Sequence, residues 1–406
     1  MELDSKKRNR LFLMFLGVIA LNAIGLGLSD AIFNNYYYDV YQVTASQRGF
    51  IEFPRELPGV IAVVIISMLS FMGEIRLAIV AQVLSIIGLI LLGLFTPPFA
   101  LMLVFLFINS MGMHMFFPLS DGIGLNIIGS KKTGKNFGIL NGVRTGAGFI
   151  AALIVFLGFR SGVFSFTGEI IHVFLIATGF FVIVLVILFF IRRGIGDPPI
   201  NTGKGRFLFR KEYRYYYLLA SLHGAHKQIA IVFGPWVLIS ILEKQADTLA
   251  ALSMVGMFLG VFFMPLVGRL VDRYGVKSMM FTEGFSFMAI YILFGVVSAG
   301  FASGRIATVG IPVIIVFVLF IIDRMTIQLG MVRALYLRSI AVDQSEITPT
   351  LSTGMSLDHV ISIVGAFLGG LAWEAWGPQF VFFIAAGLAL CNVFIAARLP
   401  KHIKSE

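Results

Sequence analysis

The chain has 406 residues, of which 58% are hydrophobic and only 13% charged. Soluble globular domains carry about 25% charged residues. That contrast, with a mean hydropathy of +0.94, excludes a soluble enzyme, a disordered chain and a nucleic-acid-binding domain. The formal net charge of +10 has its own explanation in a membrane protein, where excess Lys and Arg collect in the cytoplasmic loops.

A spanning helix needs about 20 mostly apolar residues. Twelve stretches meet that need and predict helices over 11–33, 47–70, 77–95, 99–128, 137–159, 170–191, 215–240, 248–271, 278–299, 309–338, 355–376 and 379–397. Lys6, Lys7, Arg8 and Arg10 precede the first of them. The apolar run that follows is too long for a secretory signal and no small-residue cleavage site closes it, so it reads as an uncleaved span. Tyr36–Tyr38 and Tyr215–Tyr217 lie at span ends and are expected in interfacial aromatic belts, as are Trp373 and Trp376.

The basic residues test this division. With the N-terminus in the cytoplasm, 23 of the 31 Lys and Arg fall in segments on that side, Arg333 among them. Four fall outside (Arg48, Arg160, Lys244 and Arg305), and four lie within spans: Arg55, Arg144, Lys227 and Arg324. The bias predicts both termini in the cytoplasm. No N-x-S/T sequon is present, which with the short loops points to a bacterial inner membrane. The longest loop, 192–214, divides a six-helix half at 1–191 from another at 215–406. Paired halves are the usual build of secondary transporters.

The segment after the eighth span reads Gly268-Arg269-Leu270-Val271-Asp272-Arg273-Tyr274-Gly275-Val276-Lys277. It resembles the G-x-L-x-D-R-x-G-x-K signature of the major facilitator superfamily at six positions, between spans eight and nine as in that family. The resemblance implies an all-α polytopic membrane protein of 12 transmembrane helices in two six-helix halves that rock about a central site. It implies that spans 1, 2, 4, 5, 7, 8, 10 and 11 border the cavity and that 3, 6, 9 and 12 are peripheral. It also implies a gating role for Gly268, Asp272, Arg273, Gly275 and Lys277, which hold the cytoplasmic side closed. The corresponding stretch between spans two and three, Phe71-Met72-Gly73-Glu74-Ile75-Arg76, is a remnant of the same pattern.

Other patterns argue against particular functions. Gly365-Ala366-Phe367-Leu368-Gly369-Gly370 in span eleven has Ala where the family's G-P-x-x-G-G element has Pro, and span five lacks that Pro too. Drug–proton antiport is therefore not indicated, and the small residues read as sites of close helix contact. Gly129-Ser130-Lys131-Lys132-Thr133-Gly134-Lys135-Asn136 misses a phosphate-binding P-loop, because Asn136 stands where a Mg²⁺-binding Ser or Thr is needed and no strand precedes it. ATP is not expected as a partner. A lone Cys391 excludes a multi-cysteine metal site, and the pair His223 and His226 is expected to serve as polar lining or proton relay.

Charges within a bilayer are costly and persist where they meet a partner, water or substrate. Glu52, Arg55 and Glu56 fall in span 2, Asp121 in 4, Arg144 in 5, Lys227 in 7, Asp323 and Arg324 in 10, and Asp358 in 11, with Asp30 near the outer end of span 1. These are all spans that the family arrangement places around the cavity. Candidate substrate contacts are Asn22, His114, Arg144, His223, His226, Lys227, Asp323, Arg324 and Gln328. Candidate proton-coupling groups are Asp30, Glu52, Glu56, Asp121, Asp323 and Asp358. Asp323 and Arg324 are adjacent, so they point about 100° apart and serve different partners. Lys227, Arg144 and Arg324 point to an anionic group on the solute, unless each is paired with a carboxylate, as Lys227 with Asp323 or Asp358.

These readings make the chain a secondary transporter of a small polar, anionic organic solute. Its partners are that solute, the lipid bilayer and protons, with no cofactor, metal or nucleic acid. Multidrug efflux is the alternative, for which the many Phe and Met residues would suit an adaptable pocket. A non-transporting receptor or an intramembrane enzyme finds no support in any sensor domain or nucleophile–base arrangement.

Overall fold

The computed structural model describes residues 5–128, 133–168, 170–197, 208–343 and 346–399. Every regular element among these is helical. That is the outcome long apolar runs require, since a helix pairs its backbone N–H and C=O groups internally where no water can. The helices are α1 (Ser5–Tyr41), α2 (Ala45–Met68), α3 (Glu74–Leu94), α4 (Phe99–Ile128), α5 (Thr133–Arg160), α6 (His172–Ile195), α7 (Lys211–Ile241), α8 (Ala246–Ala302), α9 (Ile311–Ile340), α10 (Ile347–Trp376) and α11 (Pro378–Arg398).

Ten of these helices are long and apolar enough to cross a membrane. Two features reconcile ten with the twelve crossings expected. At about 1.5 Å per residue, the 57 residues of α8 would reach far beyond the ~30 Å of a hydrocarbon core. Its backbone breaks at Gly275, with φ 79° and ψ 162°, a conformation open essentially to glycine alone. Two shorter helices therefore meet there. The eleventh helix, α2, is apolar enough over its second half but carries Arg48, Glu52, Arg55 and Glu56 in its first half, too many charges for the same assignment. The architecture is thus consistent with twelve crossings.

The chain divides into two compact units: Met1–Tyr41 with Leu57–Gly205, and Gln42–Glu56 with Arg206–Glu406. The first half of α2 belongs with the second unit. In the first unit α1 packs on α5 and α6, and α3 on α4 and α6, around buried Phe15, Val18, Leu77, Met115 and Leu188. In the second, α8 packs on α9 and α11, and α7 on α10. Residues 198–207 of the basic loop and 129–132 of the P-loop-like segment fall outside the described residues.

Some expectations about local placement need correction. Tyr36 and Tyr37 are fully buried. Tyr36 packs edge-on to Phe174 at 5.0 Å, and its hydroxyl lies 3.1 Å from that of Tyr41. Tyr216 is buried too, and the Tyr217 hydroxyl donates to the Leu208 carbonyl. Helix packing has drawn these rings into the protein interior. Trp373 stacks with Phe233 at 6.2 Å, whereas Trp376 is exposed. Arg48, counted as a loop residue, is fully buried in α2, and Arg333 is buried in α9.

Candidate functional site

Three segments of the second unit meet at one polar cluster. The first half of α2 lies so close to α10 that a Cβ at Gly49 would collide with the Ala366 carbonyl, and one at Gly370 with that of Ala45. Likewise a Cβ at Gly224 of α7 would collide with the Asp358 carbonyl of α10. The Ser362 hydroxyl donates to the Gly224 carbonyl at 3.0 Å, which ties α7 and α10 at the same level. Glycine at these contacts lets the backbones approach closely, so side chains one turn away are brought together.

The side chains so assembled are ionic. Lys227 Nζ donates to Glu56 Oε2 at 3.0 Å and to Asp358 Oδ2 at 2.8 Å. His359 Nδ1 meets the same Glu56 oxygen at 2.5 Å, so imidazole and carboxylate stand within hydrogen-bond distance. One turn earlier in α2, Glu52 Oε1 accepts from Arg48 Nη1 at 2.8 Å and from Arg55 Nη1 at 2.9 Å. Spacings of three and four residues put these groups on one helix face. The cluster holds three carboxylates and three cations, plus His359, and is neutral when the imidazole is. Glu52 is completely buried, whereas Lys227, Asp358 and His359 retain 16%, 14% and 13% of their side-chain exposure. The outer members therefore stay reachable while Glu52 anchors the set.

The other candidates fall in smaller groups. In α9, Asp323 is buried, while Arg324 turns away to lie 4.7 Å over the Phe320 ring. Their divergence matches the 100° expected of neighbours on a helix. The Tyr291 hydroxyl of α8 donates to the His226 carbonyl at 3.4 Å. Gln328 packs against Gly260. His226 is fully buried and stacks on Phe287 at 4.6 Å. His223 lies at Gly330, beside Arg333. The two histidines thus serve different surroundings. Among the described residues no three His, Cys, Asp or Glu side chains gather as a metal site.

In the first unit, Asn22 of α1 accepts from Gln82 of α3 at 2.9 Å. His114 bonds back to the Ser110 carbonyl of its own helix at 2.9 Å. Arg144 of α5 donates to Asp121 of α4 at 3.1 Å, with 36% and 46% of the two side chains exposed. Asp30 is exposed on α1. Of the cations marked as anion-binding candidates, Lys227 and Arg144 each stand against carboxylates.

In the gating segment, Asp272 and Arg273 are exposed, with Arg273 5.2 Å over the Tyr274 ring. Lys277 donates to the Ala397 carbonyl at 3.0 Å and the Leu399 carbonyl at 2.5 Å. An ammonium there meets the negative end of α11. A Cβ at Gly268 would meet nothing, so this glycine is not required by packing.

Several buried polar positions escaped the sequence reading. His359 was legible only as a titratable neighbour of Asp358 in a cavity-lining span. Arg333, assigned to a loop, donates to Glu283 of α8 at 2.8 Å, with both side chains buried. Glu74 opens α3 buried and accepts from Asn126 of α4 at 2.6 Å.

No family model and no curated protein matches the sequence itself. Solved structures do match. The nucleoside transporter NupG aligns with a TM-score of 0.76 at 14% identity, covering 95% of this chain and 98% of its own. A POT family transporter in complex with 5-aminolevulinic acid aligns with a TM-score of 0.72 at 13% identity, over 96% of this chain and 95% of its own. A bacterial homolog of the human lysosomal transporter Spinster aligns with a TM-score of 0.67 at 13% identity, over 97% and 96%. With alignments that run nearly end to end, all to membrane transporters, the chain has the major facilitator fold.

Proposed function

We propose that this chain is a secondary active transporter that moves a small polar organic solute by alternating access, coupled to protons through Glu56, His359, Lys227 and Asp358. The reading is carried by one observation: Lys227 bridges two carboxylates while His359 lies within hydrogen-bond distance of one of them. Protonating Glu56 removes its hold on Lys227 and changes the charge of a partly reachable site. That couples proton occupancy to solute occupancy without a cofactor. Arg324, Asp323 and Gln328 are further polar groups for the solute in the second unit, and Asn22, His114, Asp121 and Arg144 in the first.

A simple anion would have to draw Lys227 away from both Glu56 and Asp358. A solute that carries a cation beside its anionic group fits the neutral cluster better, because it replaces each partner it displaces. The basic-residue bias supports a membrane orientation with both termini in the cytoplasm, and the lack of N-x-S/T sequons with the short loops supports a bacterial inner membrane.

The experiment is flux into proteoliposomes, with solutes first selected by thermal-shift screening of the purified chain. Accumulation is expected only with an inwardly or outwardly directed pH gradient. Glu56→Gln is expected to abolish accumulation and to retain counterflow, since exchange of bound solute needs no net proton transfer. Undiminished uphill transport by Glu56→Gln and by Asp358→Asn removes the cluster from coupling.

A further inference from the structure

Next to Lys227, on a different face of α7, Gln228 lines a cavity of about 440 Å³ between α7, α10 and α11. Ala225, Gln228, Ile229 and Phe233 supply the α7 wall, a spacing that places them on one helix face. Leu368 and Ile384 stand at the wall on α10 and α11 and are exposed at the protein surface. The volume lies within the range of small-molecule sites.

The lining is apolar apart from Gln228. That side chain is 1% exposed, and neither its Oε1 nor its Nε2 has a hydrogen-bond partner among the described residues. A buried amide left unpaired is destabilising unless a ligand or partner satisfies it. The helix also changes form at this point. Residues Ile229–Phe233 are π-helical, with the Gly234 amide donating to the Ile229 carbonyl. Pro235 has no N–H for the α-helical ladder and its ring crowds the carbonyl four residues back, which the wider turn relieves. Single π-helical turns recur at functional sites.

We propose that this cavity is a second binding site, separate from the ionic cluster, for an uncharged elongated apolar molecule bearing one carboxamide group. The carboxamide pairs reciprocally with Gln228, its N–H to Oε1 and its C=O to Nε2. The apolar body fills the channel between α10 and α11. An ionised ligand is excluded because the lining supplies no countercharge and burying a bare charge is prohibitive.

Oleamide and 1-octadecene test this with the purified full chain in detergent, by native mass spectrometry and thermal shift. The first probe carries the amide and the second only the hydrocarbon. Oleamide is expected to give a 1:1 adduct at least tenfold tighter than 1-octadecene. Gln228→Leu should remove that preference while keeping hydrocarbon binding. Ala375→Phe, which fills the cavity from an exposed position on its rim, should weaken both probes. Equal oleamide binding by the parent chain and both variants indicates surface association and overturns the proposal. So does a parent chain that prefers neither probe.

Discussion

Arg333 shows what a single buried charge demands. It sits in α9 with its guanidinium 2.8 Å from Glu283 of α8, and the two side chains are 9% and 1% exposed. Removing one partner of such a pair leaves a bare charge in an apolar setting, which costs about 3–5 kcal/mol. Arg333→Gln is therefore expected to lower the unfolding midpoint of the detergent-solubilised protein sharply. Adding Glu283→Gln to that variant should recover most of the loss, because the orphaned carboxylate is gone. A single variant as stable as the parent would show that the pair is hydrated. Glu52 is held by the same logic, between Arg48 and Arg55. The i,i+3 pairing of Glu52 with Arg55 was legible from spacing alone. The burial of Arg48 was not, because nothing local to 42–48 reports that α10 lies against it.

At the scale of the element, α8 joins two crossings through one residue. Gly275 supplies the positive φ that turns the helix out of register, and Lys277 fastens the following stretch to the carbonyl end of α11. Asp272, just before the break, stays exposed and adds nothing to a core. The gating role expected of it would act on the balance of conformations and leave the pocket alone. Asp272→Asn is expected to lower transport turnover severalfold and to leave solute affinity within a few-fold, as measured by initial rates and equilibrium binding on the same preparation. Lost affinity at unchanged turnover contradicts a gating role. The G-x-L-x-D-R-x-G-x-K signature marked this turn in the sequence. The anchoring of Lys277 on α11 joins residues about 120 positions apart, a distance over which periodicity carries no information.

For the molecule as a whole, the orientation in the membrane is the claim most open to direct measurement. A reporter fused after Glu406 is expected to be active only in the cytoplasm, and residues 192–214 to be cut by protease only from that side. Activity of the reporter outside the cell refutes the orientation. The sequence by itself determined that the chain crosses a membrane many times and marked the apolar stretches and most of the charges among them, though it left Arg48 and Arg333 in loops. Hydrocarbon penalises each unpaired polar group locally, so each apolar run declares itself. Tertiary structure alone decided which charges meet. Lys227 had Asp323 and Asp358 as equally plausible partners in the sequence, and close approach at Gly224 and Gly49 chose Asp358 and added Glu56 and His359. Such pairings depend on the distance between helix axes, which the side chains of two separate helices set together.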